Sequence, residues 1–249
     1  MKLSVIIPVF NEKKTIKEII KRVLAVKIPK EIIIVDDYST DGTKEILKKI
    51  KNKDIKVVFH EKNCGKGMAI RTGIKHVSGD IVIIQDADLE YEPKDYLKLV
   101  EPIAKGETKV VYGTRFPKGG KRPSIFKNSF FLANRILTIM SNVLYNAKIT
   151  DEPTCYKVFD SEALKSINLK CERFEFCPEV TAKVRKKGYQ IKELPIGISY
   201  EENAVVCIPT TADKWRIGCV GPSGQGKSII MHAYLNAKFY LEGVNWCML

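Results

Sequence analysis

Three acidic residues, Asp86, Asp88 and Glu90, alternate along the short segment Asp-Ala-Asp-Leu-Glu. Side chains of an extended segment alternate between two sides, so we expect these three carboxylates to point the same way. Close carboxylates repel one another, and Mg²⁺ or Mn²⁺ relieves the repulsion because such cations take oxygen ligands and bridge carboxylates to phosphates. The segment therefore predicts either a site for a hard divalent cation or, as the simpler alternative, an acidic turn that begins a helix.

A second motif with chemistry lies near the end of the chain, where GPSGQGKS at 221–228 fits the phosphate-binding pattern G-x-x-x-x-G-K-[ST]. In such a loop the backbone from Gly221 to Gly226 holds phosphates, Lys227 reaches the outer ones and Ser228 ligates Mg²⁺. The surrounding sequence also favours the order strand, loop and helix. Only 21 residues follow Ser228 in the 249-residue chain, too few for the remaining strands and acidic partner of a nucleotide-hydrolysing domain. We therefore expect no ATP hydrolysis from this segment.

The composition indicates a globular chain with an excess of positive charge. Its 249 residues are 45% hydrophobic and 29% charged, which suits one large domain or two small ones. The formal net charge of +13 indicates either a solvated lysine-rich surface or anionic partners, such as nucleotides or an acidic membrane surface. No nucleic-acid recognition motif accompanies the charge, so we expect no specific nucleic-acid partner.

Cysteine and histidine usage bears on compartment and metals. Seven cysteines, with no C-x-x-C pair, and only three histidines suggest reduced thiols and no zinc site. The apolar run in MKLSVIIPVF is too short for a signal peptide, and no stretch reaches the ~18 apolar residues of a membrane span. We expect a cytoplasmic protein, soluble or bound peripherally to the membrane.

Alternating elements must position the acidic segment. Amphipathic stretches that predict helices separate five apolar, β-branched runs, each of which predicts a buried strand. These runs are LSVIIPVF, EIIIVDD, IKVVFHE, DIVIIQDAD and KVVYGTR. The alternation predicts an α/β fold with a mostly parallel sheet and helices on both faces.

Ligands of such sheets bind at the carboxyl ends of the strands. Asp36 and Asp37 follow the second predicted strand, the 86–90 segment follows the fourth, and Arg115 follows the fifth. The first strand ends in PVFNE and lacks a G-x-G-x-x-G turn, which argues against an ordinary dinucleotide-binding fold.

Several ordered motifs resemble those of the GT-A glycosyltransferases of family 2, and in particular the subgroup of dolichyl-phosphate mannosyltransferases. The motifs are IIPVFNE, IIIVDDYSTDGT, NCGKGMAIRTG, IIQDADLEYEP and YGTRF. Farther on, TDEPTCYKVF and RFEFCPEVTAKVRKKGYQIKELPIGISY resemble acceptor-side motifs of that subgroup. The resemblance implies a GT-A domain over about residues 1–200. Residues 201–249 then form an atypical tail, either a grafted fragment or a divergent extension.

The resemblance also implies roles for individual residues. The site for the nucleotide sugar would consist of Pro8, Phe10, Glu12, Val35, Asp37, Asp86, Ala87, Asp88 and Arg115. Asp88 and Glu90 would ligate Mg²⁺ or Mn²⁺. Asp88 and Arg115 would be the catalytic residues, because the metal and the guanidinium stabilise the departing diphosphate.

Two further sets have a less definite role. Gly65, Lys66 and Gly67 form either a turn that contacts phosphate or a tight helix start. Lys157 and Glu175 lie in the acceptor-side motifs, with a weaker claim to a role than the metal ligands.

The implied reaction moves a sugar, with inversion, from a nucleoside-diphosphate sugar to a polyprenyl or dolichyl phosphate. That acceptor is already anionic near neutral pH and needs little general-base help, which agrees with the placement of His60 and His76 in strand and helix bodies. GDP-mannose is the favoured donor, although UDP-glucose or a UDP-N-acetylhexosamine fits the same motifs. Two alternatives stay open: a P-loop NTPase or a fusion carrying part of one, and a nucleotide-sugar-binding protein without turnover.

A lipid acceptor requires contact with a membrane, and residues 124–146 have suitable spacing. Apolar residues fall three, four and seven positions apart, with Lys127 and Arg135 among them. The predicted apolar face consists of Phe126, Phe130, Leu137, Met140 and Leu144. The stretch predicts either a helix in the bilayer interface or a helix packed on the protein.

The resemblance ends near Tyr200, where related chains continue with an Arg and a Lys that clamp phosphates. This chain continues with EENAVVCIPTTADKW, and Lys214 and Arg216 are the candidates to replace that pair. Because charge-assisted contacts to phosphate contribute about 1.5–3 kcal/mol each, we expect donor binding but weak or absent transfer.

Overall fold

The computed structural model describes residues 1–116, 129–197, 218–220 and 226–228. The strands are β1 (Leu3–Val9), β2 (Lys30–Asp36), β3 (Ile55–Phe59), β4 (Ile81–Ile84), β5 (Val110–Thr114), β6 (Lys157–Asp160), β7 (Ile191–Pro195), β8 (Gly218–Val220) and β9 (Gly226–Ser228). The helices are α1 (Ile16–Ala25), α2 (Thr43–Lys48), α3 (Lys66–Ile74), α4 (Tyr96–Ala104), α5 (Ser129–Tyr145), α6 (Ser161–Lys165) and α7 (Phe176–Lys186), and a 3₁₀ turn spans Pro93–Asp95.

Strands β1 to β7 form one sheet in the order β3-β2-β1-β4-β6-β5-β7. β3, β2, β1 and β4 pair in parallel, as do β5 and β7, whereas β6 is antiparallel to both of its neighbours. The predicted mostly parallel sheet is confirmed, and the five predicted strands are β1 to β5. Because β6 runs the opposite way, the loop before it reaches the edge where β1, β2, β4 and β5 end.

Two apolar layers cover the sheet, as the near-continuous apolar strands require. On one face, side chains such as Val5 and Ile34 pack with α1, α2 and α4. On the other, Ile6 and Ile33 pack with α3, α6 and α7. Helices on both faces of the sheet are thereby confirmed.

Helix α5 lies within the stretch considered for membrane contact and packs against α7. Leu137, predicted on the membrane-facing side, is only 3% exposed, so this assignment is wrong. The exposed apolar residues of the helix are Ile136, Ile139, Val143 and Leu144. Phe126, Lys127 and the side chain of Phe130 lie outside the described part of the chain. In the described ranges, no helix combines the length and the apolar character needed to span a bilayer.

The tail is described only at β8 and β9, which pair antiparallel as a separate two-stranded sheet. β9 contains Gly226, Lys227 and Ser228, where the phosphate-binding pattern requires the first turn of a helix. These three residues are extended, and the segment expected to form the helix after the loop lies outside the described residues. Gly221, Lys214 and Arg216 lie outside the described residues.

Glu31, at the start of β2, ties β1 to the turn before β4. Its carboxylate accepts hydrogen bonds from the Ser4 hydroxyl (2.5 Å), the Ser78 hydroxyl (2.6 Å) and the Ser78 backbone N–H (2.7 Å), and pairs with Lys2 (2.9 Å). Burial alone raises the pKa of a carboxylate, but these bonds outweigh it and lower the pKa of Glu31 to about 2.

Glu31→Gln should lower the free energy of unfolding at pH 7 by about 1–3 kcal/mol, because the neutral amide accepts these hydrogen bonds less strongly. A lowered carboxylate pKa stabilises the fold above the ordinary value of 4.5, and this stabilisation is lost as the pH falls through about 2. The difference between parent and variant in urea unfolding should therefore shrink over that range. Glu162→Gln, at a side chain that is 87% exposed, is the control. Equal effects of the two variants at pH 7 would contradict the prediction.

Candidate active site

The carboxyl ends of four parallel strands bring most of the predicted site residues to one edge of the sheet. The antiparallel β6 adds the loop 151–156 to the same edge. Phe10 and Glu12 follow β1, Asp37 follows β2, Asp86, Ala87 and Asp88 follow β4, and Arg115 follows β5. Pro8 and Val35 are buried register partners on β1 and β2, and Val35 packs in the core with residues of α3.

Asp86 is 5% exposed, and its carboxylate lies between a cation and a thiol. Lys66, the first residue of α3, places its Nζ 2.5 Å from Oδ1, and the Cys155 thiol donates to Oδ2. Burial acts to lower the pKa of Lys66, but the Asp86 carboxylate outweighs it and raises the pKa above its usual value. The expectation of three uncompensated carboxylates is therefore wrong for Asp86, whose charge Lys66 balances.

The rest of the acidic segment bends. The Glu90 backbone N–H donates to Asp88 Oδ1 at 3.2 Å, and residues 87–90 form bends where an extended segment was predicted. This local bond is the type that a short acidic side chain makes with backbone two residues on. Asp88 is 7% exposed and Glu90 is half-buried. The two predicted cation ligands, Asp88 and Glu90, both lie within this bend.

Arg115 forms a bidentate ion pair with Asp151 in the loop before β6. Its Nε and Nη2 atoms each lie 2.7 Å from a carboxylate oxygen of Asp151, and its backbone N–H donates to the same carboxylate at 3.0 Å. Glu193 on β7 accepts hydrogen bonds from the backbone N–H groups of Thr150 and Asp151, which fixes that loop. Burial raises the pKa of Glu193. The sequence did not reveal this pair, because the partners lie 36 positions apart.

Asp37 organises the loop between β3 and α3. Its Oδ1 accepts a hydrogen bond from the Cys64 backbone N–H (2.8 Å) and lies 2.7 Å from His60 Nδ1, while its Oδ2 accepts from the Gly65 N–H (2.7 Å). His60 was predicted inside a strand but lies just after β3, beside the site. A histidine therefore faces the edge where none was expected.

Gly65 and Gly67 allow the loop before α7 to approach the start of α3. A Cβ on Gly65 would lie 2.5 Å from the Glu172 carbonyl oxygen, and one on Gly67 would lie 2.9 Å from the Arg173 carbonyl oxygen. The backbone N–H of Gly67 donates to that Arg173 oxygen at 2.8 Å. This geometry favours a tight helix start, because protein acceptors already occupy the N–H groups of Gly65 and Gly67.

Lys157 and Glu175, predicted in acceptor-side motifs, both hold backbone in place. The Lys157 ammonium is fully buried, donates to the carbonyls of Glu152 (2.6 Å) and Thr154 (2.8 Å), and lies 4.4 Å from the centre of the Tyr112 ring. Glu175 accepts from the backbone N–H groups at 172 and 173. Lys157 thus supports the loop that carries Asp151 and Cys155.

A buried polar cluster beneath the acidic segment was missed by the sequence analysis. Gln85 Oε1 accepts hydrogen bonds from the hydroxyls of Tyr96 (2.6 Å) and Tyr156 (2.9 Å), and its amide donates to the Asp86 carbonyl at 2.9 Å. The rings of Tyr91 and Tyr156 lie 4.9 Å apart. Tyrosines spread over 65 residues gave no local signal in the sequence, although together they fix the backbone at Asp86.

Comparisons with known proteins find relatives over most of the chain. The family described as Glycosyl transferase family 2 matches residues 4–167. A UDP-N-acetylglucosamine–dolichyl-phosphate N-acetylglucosaminyltransferase of Methanococcus voltae is 31% identical over 222 residues, covering 80% of this chain and 86% of the relative. A dolichol-phosphate mannosyltransferase of Pyrococcus furiosus is 38% identical over 124 residues, covering 49% of this chain and 35% of the relative.

Among solved structures, a glucosyl-3-phosphoglycerate synthase of Mycobacterium tuberculosis is similar to this chain. It was solved with Mn²⁺, UDP and glucosyl-3-phosphoglycerate, and has a TM-score of 0.63 and 22% identity, covering 81% of this chain and 72% of that one. At this identity the likeness shows a shared fold, and the GT-A architecture implied by the sequence motifs is confirmed.

Gly65→Ala should lower the free energy of unfolding by about 1–3 kcal/mol more than Gly106→Ala does. Both glycines have positive φ angles, +92° and +73°, but a Cβ on Gly106 meets nothing within 4 Å. The comparison therefore separates the clash with the 172–173 backbone from the cost of the φ angle alone. Thermal and urea unfolding of the two variants measure this difference. Equal destabilisation would show that the start of α3 does not pack against the loop before α7 as described.

Proposed function

The chain belongs to glycosyl transferase family 2, and we propose that it transfers a sugar from a nucleoside-diphosphate sugar to a dolichyl or other polyprenyl phosphate. The observation that carries the proposal is the acidic segment at the sheet edge. Lys66 and Cys155 fix the carboxylate of Asp86 there, and Asp88 follows two residues later.

In this proposal Asp88 and Glu90 hold Mg²⁺ or Mn²⁺. Their carboxylate oxygens are the donor type that these cations prefer. When bound, the cation supplies positive charge against the diphosphate leaving group. Glu90 follows Asp88 around the bend made by the 88–90 hydrogen bond, which places both side chains on one short turn of the chain.

Arg115 remains the proposed phosphate contact. A guanidinium has five N–H donors, and Asp151 takes one from Nε and one from Nη2. The remaining donors suit a phosphate oxygen, and the pair with Asp151 restricts the guanidinium to one orientation. Asp151 thus acts as a positioning residue for Arg115.

The named relatives divide on the sugar. The relative aligned over 86% of its own length is named for UDP-N-acetylglucosamine, whereas the mannosyltransferase is aligned over 35% of its length. We therefore place UDP-N-acetylglucosamine ahead of the GDP-mannose favoured by the sequence motifs. The two relatives agree on the acceptor, because both names specify dolichyl (dolichol) phosphate.

The exposed side of α5 suits peripheral contact with an anionic membrane, where a dolichyl phosphate resides. Ile136, Ile139 and Val143 recur at helical spacing and are 43%, 48% and 76% exposed. Arg135 is exposed beside them, and the net charge of the chain is +13. An apolar stripe flanked by cations is typical of helices that lie in a bilayer interface.

We assign donor binding to residues 1–200 and no chemistry to the tail at 201–249. Without the expected Arg and Lys clamp, sugar transfer by the chain as it stands should be weak. ATP hydrolysis that disappears in Lys227→Ala would favour the P-loop NTPase alternative. Donor binding without transfer, even after the tail is replaced by one with the clamp, would favour the non-catalytic alternative.

Asp88→Asn should weaken Mn²⁺-dependent binding of UDP-N-acetylglucosamine by at least about 10-fold, because the amide binds the cation less strongly and carries no charge to balance it. Asp54→Asn, at an exposed position outside the site, is the matched control. Calorimetric titration with and without Mn²⁺ measures the affinities of the two variants. Unchanged binding in Asp88→Asn would remove the proposed metal site.

Changing both Ile139 and Val143 to Ser should weaken sedimentation with vesicles of anionic phospholipid by at least about 10-fold, since removing apolar surface from the interface costs about 1–3 kcal/mol. Leu97→Ser, at an apolar residue of α4 that is 52% exposed, is the control. Binding should also weaken as salt is raised. Equal sedimentation of parent and double variant would show that this side of α5 does not contact the membrane.

A further inference from the structure

Three different metal-ligating side chains meet where the segments after β2 and β3 approach the start of α3. Asp37 follows β2, His60 follows β3 and Cys64 precedes α3. Their ligand atoms all lie within 4.8 Å of one another. Asp37 is buried, while His60 and Cys64 are half-buried, so the cluster can be reached from solvent.

Neighbouring groups fix the orientation of two of these side chains. His60 Nε2 lies 3.0 Å from the Thr72 hydroxyl, which leaves Nδ1 facing Asp37 Oδ1 at 2.7 Å. The Gly65 N–H holds Asp37 Oδ2 at 2.7 Å. Hydrogen bonds to the far atoms of a ligating imidazole and carboxylate are the usual support of a metal site.

We propose that Asp37, His60 and Cys64 form a second cation site, selective for a thiophilic divalent cation of the zinc class. One nitrogen, one thiolate sulfur and one carboxylate oxygen are ligands that Zn²⁺ takes, and three of them leave a fourth position open. Mg²⁺ and Mn²⁺ prefer sites made of oxygen, as at Asp88 and Glu90. The two proposed sites therefore differ in the metal they select.

The cation takes the place of the proton between His60 Nδ1 and Asp37 Oδ1. In the neutral imidazole that proton moves to Nε2, which then donates to the Thr72 hydroxyl. Ligand bonds to Zn²⁺ of roughly 2.0–2.2 Å place two tetrahedral ligands roughly 3.4 Å apart, so the 2.7 Å separation opens slightly on binding. Cys64 loses its thiol proton to solvent as it becomes a ligand. The sequence indicated no zinc site because it has no paired cysteines, whereas this set uses a single cysteine.

Occupation of this site has a consequence that rests on the proposed function. Asp37 is one of the residues assigned to the nucleotide-sugar site, so a cation on its carboxylate and a bound nucleotide sugar exclude one another. Zn²⁺ then acts as an inhibitor that competes with the donor, independently of the cation at Asp88 and Glu90.

The test starts from the full chain freed of metal. Binding of ZnCl₂ is measured in competition with a chromophoric chelator, and CoCl₂ serves as a spectroscopic probe of thiolate ligation. The parent should bind one Zn²⁺ at this site, and Cys64→Ser should weaken that binding at least about 10-fold and abolish the cobalt–thiolate absorption. Cys155→Ser is the matched control, because Cys155 also lies against a carboxylate, that of Asp86. It should leave both signals unchanged.

Within the described residues, the Cys64 thiol makes one side-chain hydrogen bond, a 3.4 Å contact to the Lys62 carbonyl. In the absence of metal, Cys64→Ser should therefore unfold at the same temperature as the parent. Equal Zn²⁺ affinity in parent and Cys64→Ser, or loss of binding in Cys155→Ser alone, would overturn the proposal. A competition arm separates the two hypotheses. If Zn²⁺ binds in a Cys64-dependent way and the donor does not displace it, the cation site is supported and the role of Asp37 in donor binding is rejected. If the donor binds but Zn²⁺ does not, only the cation site is rejected.

Discussion

The ion pair between Lys66 and Asp86 is the interaction on which the arrangement of the active-site edge depends. It joins the start of α3 to the segment after β4, and the Cys155 thiol adds the loop before β6 to the same carboxylate. The side chains are 27% and 7% exposed, so the pair is shielded from most of the solvent. Breaking a buried pair by removing one partner typically costs about 3–5 kcal/mol, because the remaining charge is left uncompensated. The cost of keeping the Asp86 carboxylate at the end of a buried strand is thus offset by the protein itself.

The single antiparallel strand explains how distant parts of the chain reach this edge. Because β6 enters the sheet from the edge where the parallel strands leave it, residues 151–156 lie beside Asp86 and Arg115. The Lys157 ammonium donates to two carbonyls of that loop, and Glu193 on β7 accepts a hydrogen bond from the Thr150 N–H at its start. The loop then supplies Asp151 to Arg115 and Cys155 to Asp86. One reversed strand therefore links the half of the chain proposed to bind nucleotide with the half proposed to bind the acceptor.

The sequence predicted the first five strands and the position of the acidic segment because each strand is a continuous apolar run that ends in acidic or polar residues. It did not predict β6, which has four residues and begins with a buried lysine, and it misassigned Leu137 because α5 has apolar residues on more than one side. Pairs such as Lys66 with Asp86 and Arg115 with Asp151 join residues far apart in the chain, so no spacing rule reveals them. The Asp37, His60 and Cys64 cluster was missed for the same reason, since Asp37 lies 23 or more positions from the loop that carries His60 and Cys64.

We propose that residues 1–200 form a cation-dependent site for a nucleoside-diphosphate sugar. The most direct measurement is the thermal unfolding of the full chain with UDP-N-acetylglucosamine, GDP-mannose, UDP-glucose or ATP, each with and without Mn²⁺. A ligand at 100 times its dissociation constant stabilises the folded state by about 2.7 kcal/mol, which is a shift of several degrees for a chain of this size. We predict such a shift for one nucleoside-diphosphate sugar, only when Mn²⁺ is present, and none for ATP. A shift with ATP alone, or no shift with any nucleotide sugar and Mn²⁺, would contradict the account.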